Sequence, residues 1–388
     1  MHMPKTQHDQ KACPAVPRVG VLSVASLLVA SLVLTAGPFA ASQGPPIVGG
    51  GVFVQPQPLA IEVDAGAFHT CVLALGPAPI VQPPQPNQVI CWGWNGMGQA
   101  APYNPGWGQA EPRRLATGSY HTCAVLYSYD VTCWGDNTAG QSNDYHGGDA
   151  LLVAGGHDHT CALVKDPQNP SSTTVDQFMG SMPLRTGSGN VICWGGNTHG
   201  QSDPYLGGDA IQVTAGDGFT CVLTTSGDVH CWGGNWYGQA NGYQGGDAIQ
   251  VDAGSAHVCA LLQGGTVECW GNNFDGQADP YTGWPPAFMV TAGGVTAAKG
   301  SFGHTCVLVD AEAQTGTTLT PYSVHAGMLV DCWGGNYQLQ ATDQPLDAVV
   351  HEISAGGVHT CALLGQIGSV VCWGDNSFGQ SEPYIGIP

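Results

Sequence analysis

The sequence predicts an all-β fold: a seven-bladed β-propeller closed by its N-terminal strand, with one disulfide in each repeat. Three observations predict it. Fourteen of the fifteen cysteines fall into seven copies of one pattern, close to His-Thr-Cys-Ala-Leu … Cys-Trp-Gly-x-Asn-x-x-Gly-Gln. No segment after residue 45 keeps the 3.6-residue apolar period of a helix. A strand-like segment that the last copy lacks stands alone before the first.

Each copy reads as a hairpin. In the shortest, Val258-Cys259-Ala260-Leu261-Leu262 and Thr266-Val267-Glu268-Cys269-Trp270 flank the turn Gln263-Gly264-Gly265. Glycine supplies the positive φ angles that tight hairpins use. Folding about Gly264 sets Cys259 opposite Cys269. Facing antiparallel residues have Cα atoms roughly 4.5 to 5.5 Å apart, inside the window of about 4.4 to 6.8 Å that a disulfide needs. The first cysteines are Cys71, Cys123, Cys161, Cys221, Cys259, Cys306 and Cys361. The second are Cys91, Cys133, Cys193, Cys231, Cys269, Cys332 and Cys372. Pairing within each copy is expected; bonds between neighbouring copies stay open.

Within a pair the spacing varies: 20, 10, 32, 10, 10, 26 and 11 residues. From a second cysteine to the next first one it is nearly fixed: 32, 28, 28, 28, 37 and 29. Insertions therefore collect in the hairpins, at 72–90, 162–192 and 307–331, as tolerated additions or as recognition loops. The link of held length fixes how one unit meets the next. It carries a further strand: Asp149-Ala150-Leu151-Leu152-Val153, Asp209-Ala210-Ile211-Gln212-Val213 and Asp247-Ala248-Ile249-Gln250-Val251 match one another. The unit is a small antiparallel sheet of three or four strands.

Nothing of this kind follows Gln380. Yet Leu59-Ala60-Ile61-Glu62-Val63-Asp64-Ala65-Gly66 precedes the first copy and resembles residues 247–254. A ring whose N-terminal strand completes the last sheet accounts for both, and closure protects sheet edges.

The motif Gly-x-x-His-Thr-x-Ala-Leu … Trp-Gly-x-Asn-x-x-Gly-Gln resembles the regulator of chromosome condensation repeat, over about residues 59–388. The same superfamily includes a secreted bacterial β-lactamase inhibitory protein. The chain departs from the pattern at Phe219 for histidine, Val258 for threonine and Leu339 for glycine. Copy 6, with Leu339 and the long link, is expected to be the least regular. Cysteine pairs are not part of the nuclear family's pattern. The resemblance implies either inhibition of a secreted enzyme or guanine-nucleotide exchange; export, disulfides and acidity oppose the latter.

Residues 1–42 read as a secretory signal: Lys5, Lys11 and Arg18, then the apolar run Val19–Leu34, then small residues to Ser42. About 20 apolar residues are needed to span a bilayer, so a retained anchor is the weaker reading. Residues 43–58 form a Pro/Gly-rich spacer, and 59–388 the propeller. Cys13 departs with the leader, leaving an even cysteine count suited to an oxidising compartment. The chain has eight Lys/Arg against 28 Asp/Glu. Loss of Lys5, Lys11, Arg18 and Asp9 with the leader leaves five against 27, a formal charge of −22. Such a chain repels phosphate backbones and anionic membranes.

The recurrent His69, His121, His159, His257, His304 and His359 lie one per repeat, so they do not converge as zinc ligands must; a structural role is expected. Trp92, Trp134, Trp194, Trp232, Trp270, Trp333 and Trp373 read as packing residues, and the asparagine two positions after Gly as a turn-former. Asp149, Asp209 and Asp247 offer carboxylates for calcium only if assembled between segments. Tyr145, Tyr205, Tyr243, Tyr281 and Tyr384 recur as well. Trp94, Trp107, Trp236, Tyr237 and Trp284 break register, and they are the candidate ligand face.

The expected function is that of a secreted or cell-surface binding protein, periplasmic export included. It is expected to be monomeric and non-enzymatic, without cofactor or metal, and to recognise a protein or glycan through loops on one face. The alternatives are an inhibitor of a secreted enzyme and a polysaccharide-active enzyme built on the same ring.

Overall fold

The computed structural model describes residues 58–76, 86–106, 108–166, 178–179, 182–183, 188–282, 284–297, 300–310, 328–346, 348–365 and 368–386. These fall within one compact unit, Val54–Pro388. The leader 1–42, Cys13, Trp107, Arg185, Lys299 and the centres of the three insertions lie outside the described residues. No helix among the described residues is long and apolar enough to cross a membrane.

Seven antiparallel three-strand units follow one another along the chain. Sheet 1 has strands Ala60–Ala65, His69–Ala74 and Gln88–Gly93. Sheet 2 has Pro112–Thr117, His121–Leu126 and Val131–Gly135. Sheet 3 has Ala150–Gly155, His159–Lys165 and Gly189–Gly195. Sheet 4 has Tyr205–Ala215, Phe219–Thr224 and Val229–Gly233. Sheet 5 has Ala248–Ala253, His257–Leu262 and Val267–Gly271. Sheet 6 has Ala287–Ala297, Gly300–Asp310 and Met328–Gly334, with Gln344–Leu346 as a fourth strand. Sheet 7 has Val350–Ala355, His359–Leu364 and Ser369–Gly374.

Elsewhere a single tyrosine bridge stands where sheet 6 has its fourth strand. Tyr103, Tyr145, Tyr243, Tyr281 and Tyr384 each bridge the valine that begins the third strand's core. Tyr205 pairs with Val191, which joins sheets 3 and 4 into one six-stranded order.

All seven cysteine pairs are bonded within their own unit, with Cα atoms 4.0–4.1 Å apart. Each joins directly facing residues of the second and third strands, as at Cys259 and Cys269. The first cysteine is buried in every sheet.

The expected closing device is corrected by the pairing. Residues 60–65 pair with residues 70–74 of sheet 1, not with the last sheet. The reason is local. The short turn Gly66–Phe68 makes the orphan segment the near arm of its own hairpin. Every link strand likewise pairs with the hairpin that follows it, so copy 7 lacks nothing. The first and last sheets still meet. Ala60 N donates to Gly368 O at 3.1 Å and Gly357 N to Gly66 O at 3.0 Å. Ala60, Val63 and Val72 share a buried cluster with Leu363, Val370 and Tyr384.

Copy 6 is irregular as expected. Its first two strands continue their pairing to Ala297↔Gly300, beyond the turn that ends them in the other sheets. Leu339 takes φ 65°, the left-handed conformation that glycine holds in the matching loops.

Candidate binding face and central channel

Antiparallel order gives the unit two ends. At one end lie the hairpins between second and third strands, together with the links into the next sheet; Ala287 N donates to Gly265 O at 2.9 Å there. At the other end lie the Gly-x-x-His turns and the Asn-x-x loops. They are tied together by bonds such as Trp94 N to Phe68 O at 2.8 Å and Gly234 N to Gly218 O at 2.7 Å.

The repeating polar residues build this second end. The asparagine side chain accepts from the main-chain N–H five residues on, from Asn95 and Ala100 to Asn376 and Ser381, at 2.8–2.9 Å in all seven units. The glutamine side chain accepts from the N–H two residues back, from Met97 and Gln99 to Phe378 and Gln380, at 2.8–3.0 Å. The glutamine carbonyl then takes the threonine hydroxyl of the next sheet. Gln99 O accepts from Thr122 Oγ1 at 2.8 Å, and Gln380 O from Thr70 Oγ1 at 2.9 Å.

With its one proton so committed, each threonine oxygen accepts from a histidine Nε2–H of the preceding sheet. The pairs are His69–Thr122, His121–Thr160, His159–Thr220, His257–Thr305, His304–Thr360 and His359–Thr70, at 2.7–2.9 Å. Phe219 and Val258, read separately as departures, are the two halves of one such contact and share a buried cluster. Each ring lies under the turn glycine. A Cβ on Gly118 would stand 2.2 Å from His121 Cε1, and one on Gly216 would stand 2.1 Å from Phe219 Cε1. Burial pushes His69, His121 and His304 down to about 3, and His257 and His359 to about 4. These imidazoles are neutral structural bridges.

Tyrosine and aspartate serve the frame too. Tyr145, Tyr205, Tyr243, Tyr281 and Tyr384 stack on Trp194, Trp232, Trp270, Trp333 and Trp92 of the next sheet, with centroids 5.9–6.5 Å apart. Tyr103 does the same on Trp134. The carboxylates weighed for calcium accept phenol hydrogen bonds: Asp149 from Tyr145 at 2.8 Å, Asp209 from Tyr205 at 2.7 Å, and Asp247 from Tyr243.

The first strands of all seven sheets line a central cavity of about 330 Å³, in which Glu62, Asp64, Arg114, Asp252 and Glu352 are the ionisable groups. Burial raises Glu62 to about 7 and Asp252 to about 6, and raises Asp64. Asp252 nonetheless has both oxygens engaged: Ala253 N and Thr214 Oγ1 on one, Ala292 N and Thr291 Oγ1 on the other. Asp64 accepts from Ala65 N, Ser354 Oγ and Thr117 N. These carboxylates join neighbouring first strands that share no backbone ladder. At the loop end a smaller cavity of about 100 Å³ is rimmed by the glycine turns.

The five candidate ligand residues do not form one surface. Trp236 and Tyr237 stand on the sheet 4 Asn-x-x loop, 62% and 47% exposed. Trp94 is on the equivalent loop of sheet 1, half-buried and edge-on to Tyr120 at 5.6 Å. Trp284, 70% exposed, belongs to the link at the opposite, hairpin end. Trp107 lies outside the described residues.

The structure adds residues to the loop end that the sequence reading missed. Phe274, Tyr337 and Phe378, with Met97, are exposed at the two variable positions after the asparagine. Phe68 and Phe302 support two of them from the histidine turns, with Phe68–Phe378 centroids 6.1 Å apart and Phe302–Tyr337 5.4 Å, while Tyr120 packs on Phe68 and Trp94. The signal was present in those variable positions, which no framework bond constrains. Of the aromatics at those positions, Trp236 and Tyr237 stood out beside one another, whereas the single Phe274, Tyr337 and Phe378 did not.

Four segments, 113–141, 210–239, 248–277 and 350–380, match the regulator of chromosome condensation (RCC1) repeat. Two solved structures are similar. The CRINKLY WD40 ectodomain of the Arabidopsis thaliana receptor kinase ACR4 is 22% identical, with a TM-score of 0.58 over 86% of this chain and 100% of that one. The ectodomain of the Physcomitrella patens receptor kinase CR4 is 21% identical, with a TM-score of 0.57 over 83% of this chain and 74% of that one. Likeness at that identity speaks to fold. The chain carries regulator of chromosome condensation (RCC1) repeats arranged as a β-propeller.

Proposed function

We propose that this is an exported, non-enzymatic binding protein: a seven-bladed propeller closed between sheets 7 and 1, which recognises a protein or glycan with its Asn-x-x loops. The observation that carries the reading is the contrast within those loops. Asparagine and glutamine hold every loop in one shape, while the two exposed positions between them vary and become aromatic in sheets 4 to 7. A rigid loop that presents an aromatic loses little entropy on binding. Exposed aromatic rings gathered on one end are a usual mark of an interaction surface. Seven disulfides fit an oxidising compartment, in keeping with a cleaved leader at 1–42. The similar plant proteins are themselves ectodomains. The engaged oxygens of Asp64 and Asp252 favour binding over catalysis.

The test is capture from protein and glycan panels by the oxidised protein, repeated with Trp236→Ala/Phe274→Ala. A bound species that the double variant loses, with no turnover of it, is expected. Capture that ignores both substitutions, or cleavage of a polysaccharide, contradicts the reading.

A further inference from the structure

The aromatic half of the loop end also has a charge. Tyr237 and Phe274 meet edge to face, with centroids 5.8 Å apart at 83°. Beside them Asp275 accepts the Tyr337 hydroxyl at 3.1 Å. Trp236 meets His199 edge to face at 4.6 Å. Around the same end, Asp136 and Asp375 sit on equivalent loops, with Gln141 and Gln380 donating to them. Asp158 and Asp217 occupy the histidine turns.

Among the described residues, the lysines and arginines are elsewhere. The Lys and Arg among the described residues are Arg113, Arg114 and Lys165. Arg114 lines the central cavity, and Arg113 and Lys165 lie over the Tyr129 ring at the hairpin end, 4.7 and 3.6 Å from its centroid. Lys299 and Arg185 lie outside the described residues.

Aromatic faces carry negative quadrupole potential and attract guanidinium and ammonium groups. Carboxylates at the same end add to that field and disfavour anionic partners. A neutral sugar would stack on the rings and donate hydroxyls to a carboxylate, but it gains nothing from the net negative field, which a cationic segment uses in full. We propose that the Asn-x-x loops of sheets 4 to 6 take a cationic polypeptide segment, with arginine or lysine side chains over Trp236, Tyr237, Phe274 and Tyr337 and beside Asp275. This rests on the loop end being the binding face and names its partner chemistry.

The experiment titrates the full-length oxidised protein with an arginine-rich peptide, its glutamate counterpart and a neutral oligosaccharide. It is repeated with Trp236→Ala, Phe274→Ala, those two combined, and Asp275→Asn, each checked for an unchanged melting temperature. These side chains are exposed or partly so, and their loss leaves the frame bonds in place. The expected result is binding of the arginine peptide alone. Affinity falls about tenfold in the double aromatic variant. Asp275→Asn and added salt also weaken it. Equal affinity for the arginine peptide in wild type and the aromatic variants overturns the proposal, since bulk negative charge would then account for the attraction. Trp236-dependent binding of the sugar or the glutamate peptide overturns the cationic inference and leaves the binding face standing. No titrant sensitive to Trp236 or Phe274 overturns both.

Discussion

The seam between sheets 4 and 5 differs from the other six in both of its residues. Six seams place an imidazole N–H on a threonine hydroxyl that in turn donates to a glutamine carbonyl. In the remaining seam Phe219 occupies the ring slot under Gly216, and Val258 occupies the threonine position. The shape is conserved while the chemistry changes on both sides together. The seam therefore behaves as a two-residue unit. Either a satisfied polar pair or an apolar pair closes it, and a mixed pair leaves a buried donor without an acceptor.

Acid distinguishes the two kinds of seam most strongly. Burial holds five seam histidines at about 3 to 4, against about 6.5 in an unfolded chain. Between those values the unfolded chain binds more protons, so stability is complete above pH ~6.5 and is lost as pH falls toward 4. Glu62, Asp64 and Asp252, raised by burial, act in the opposite direction as pH falls from about 7. Three carboxylates oppose five histidines, so the melting temperature is expected to drop from pH 6.5 to 4. A flat or rising profile would show that the imidazoles are not buried bridges. The Phe219–Val258 seam contributes nothing to this profile.

Mixing the two chemistries comes next in size. Phe219→His alone buries an N–H opposite Val258 and is expected to cost about 2 kcal/mol. Adding Val258→Thr supplies the acceptor and recovers most of it, as chemical denaturation would record. A double variant no more stable than Phe219→His breaks the equivalence of the seams. The smallest effect lies in sheet 6. Leu339 holds a left-handed φ that costs a non-glycine residue about 1 to 2 kcal/mol, and glycine gives part of that back through unfolded-state entropy. Leu339→Gly is expected to stabilise by up to about 1 kcal/mol and to leave the seams unchanged.

Repetition made the frame legible. Seven copies of one cysteine motif marked the hairpins and favoured internal disulfides, because facing residues are the near neighbours a tight turn provides. The link strand was visible as a strand, yet it was assigned to the wrong unit. Its apolar pattern is the same whichever hairpin it joins, and only the short turn at Gly66–Phe68 decides. Phe219 and Val258 lie 39 positions apart, so their contact was hidden until the sheets were set side by side. The loop end was legible in its asparagines and glutamines and not in its aromatics. Phe274 and Phe378 look like ordinary core residues until the loop turns them outward. Trp284 looked like their companion because sequence distance does not reveal which end of a strand a connection occupies.

The central claim is the proposed closed ring, in which His359 of the last sheet meets Thr70 of the first. A double-mutant cycle with His359→Phe and Thr70→Val tests it across the two ends of the chain. The account predicts that each single variant destabilises by about 1 to 3 kcal/mol and that the double, a second apolar seam, loses clearly less than their sum. Strictly additive losses would contradict it, since residues that never touch cannot compensate one another.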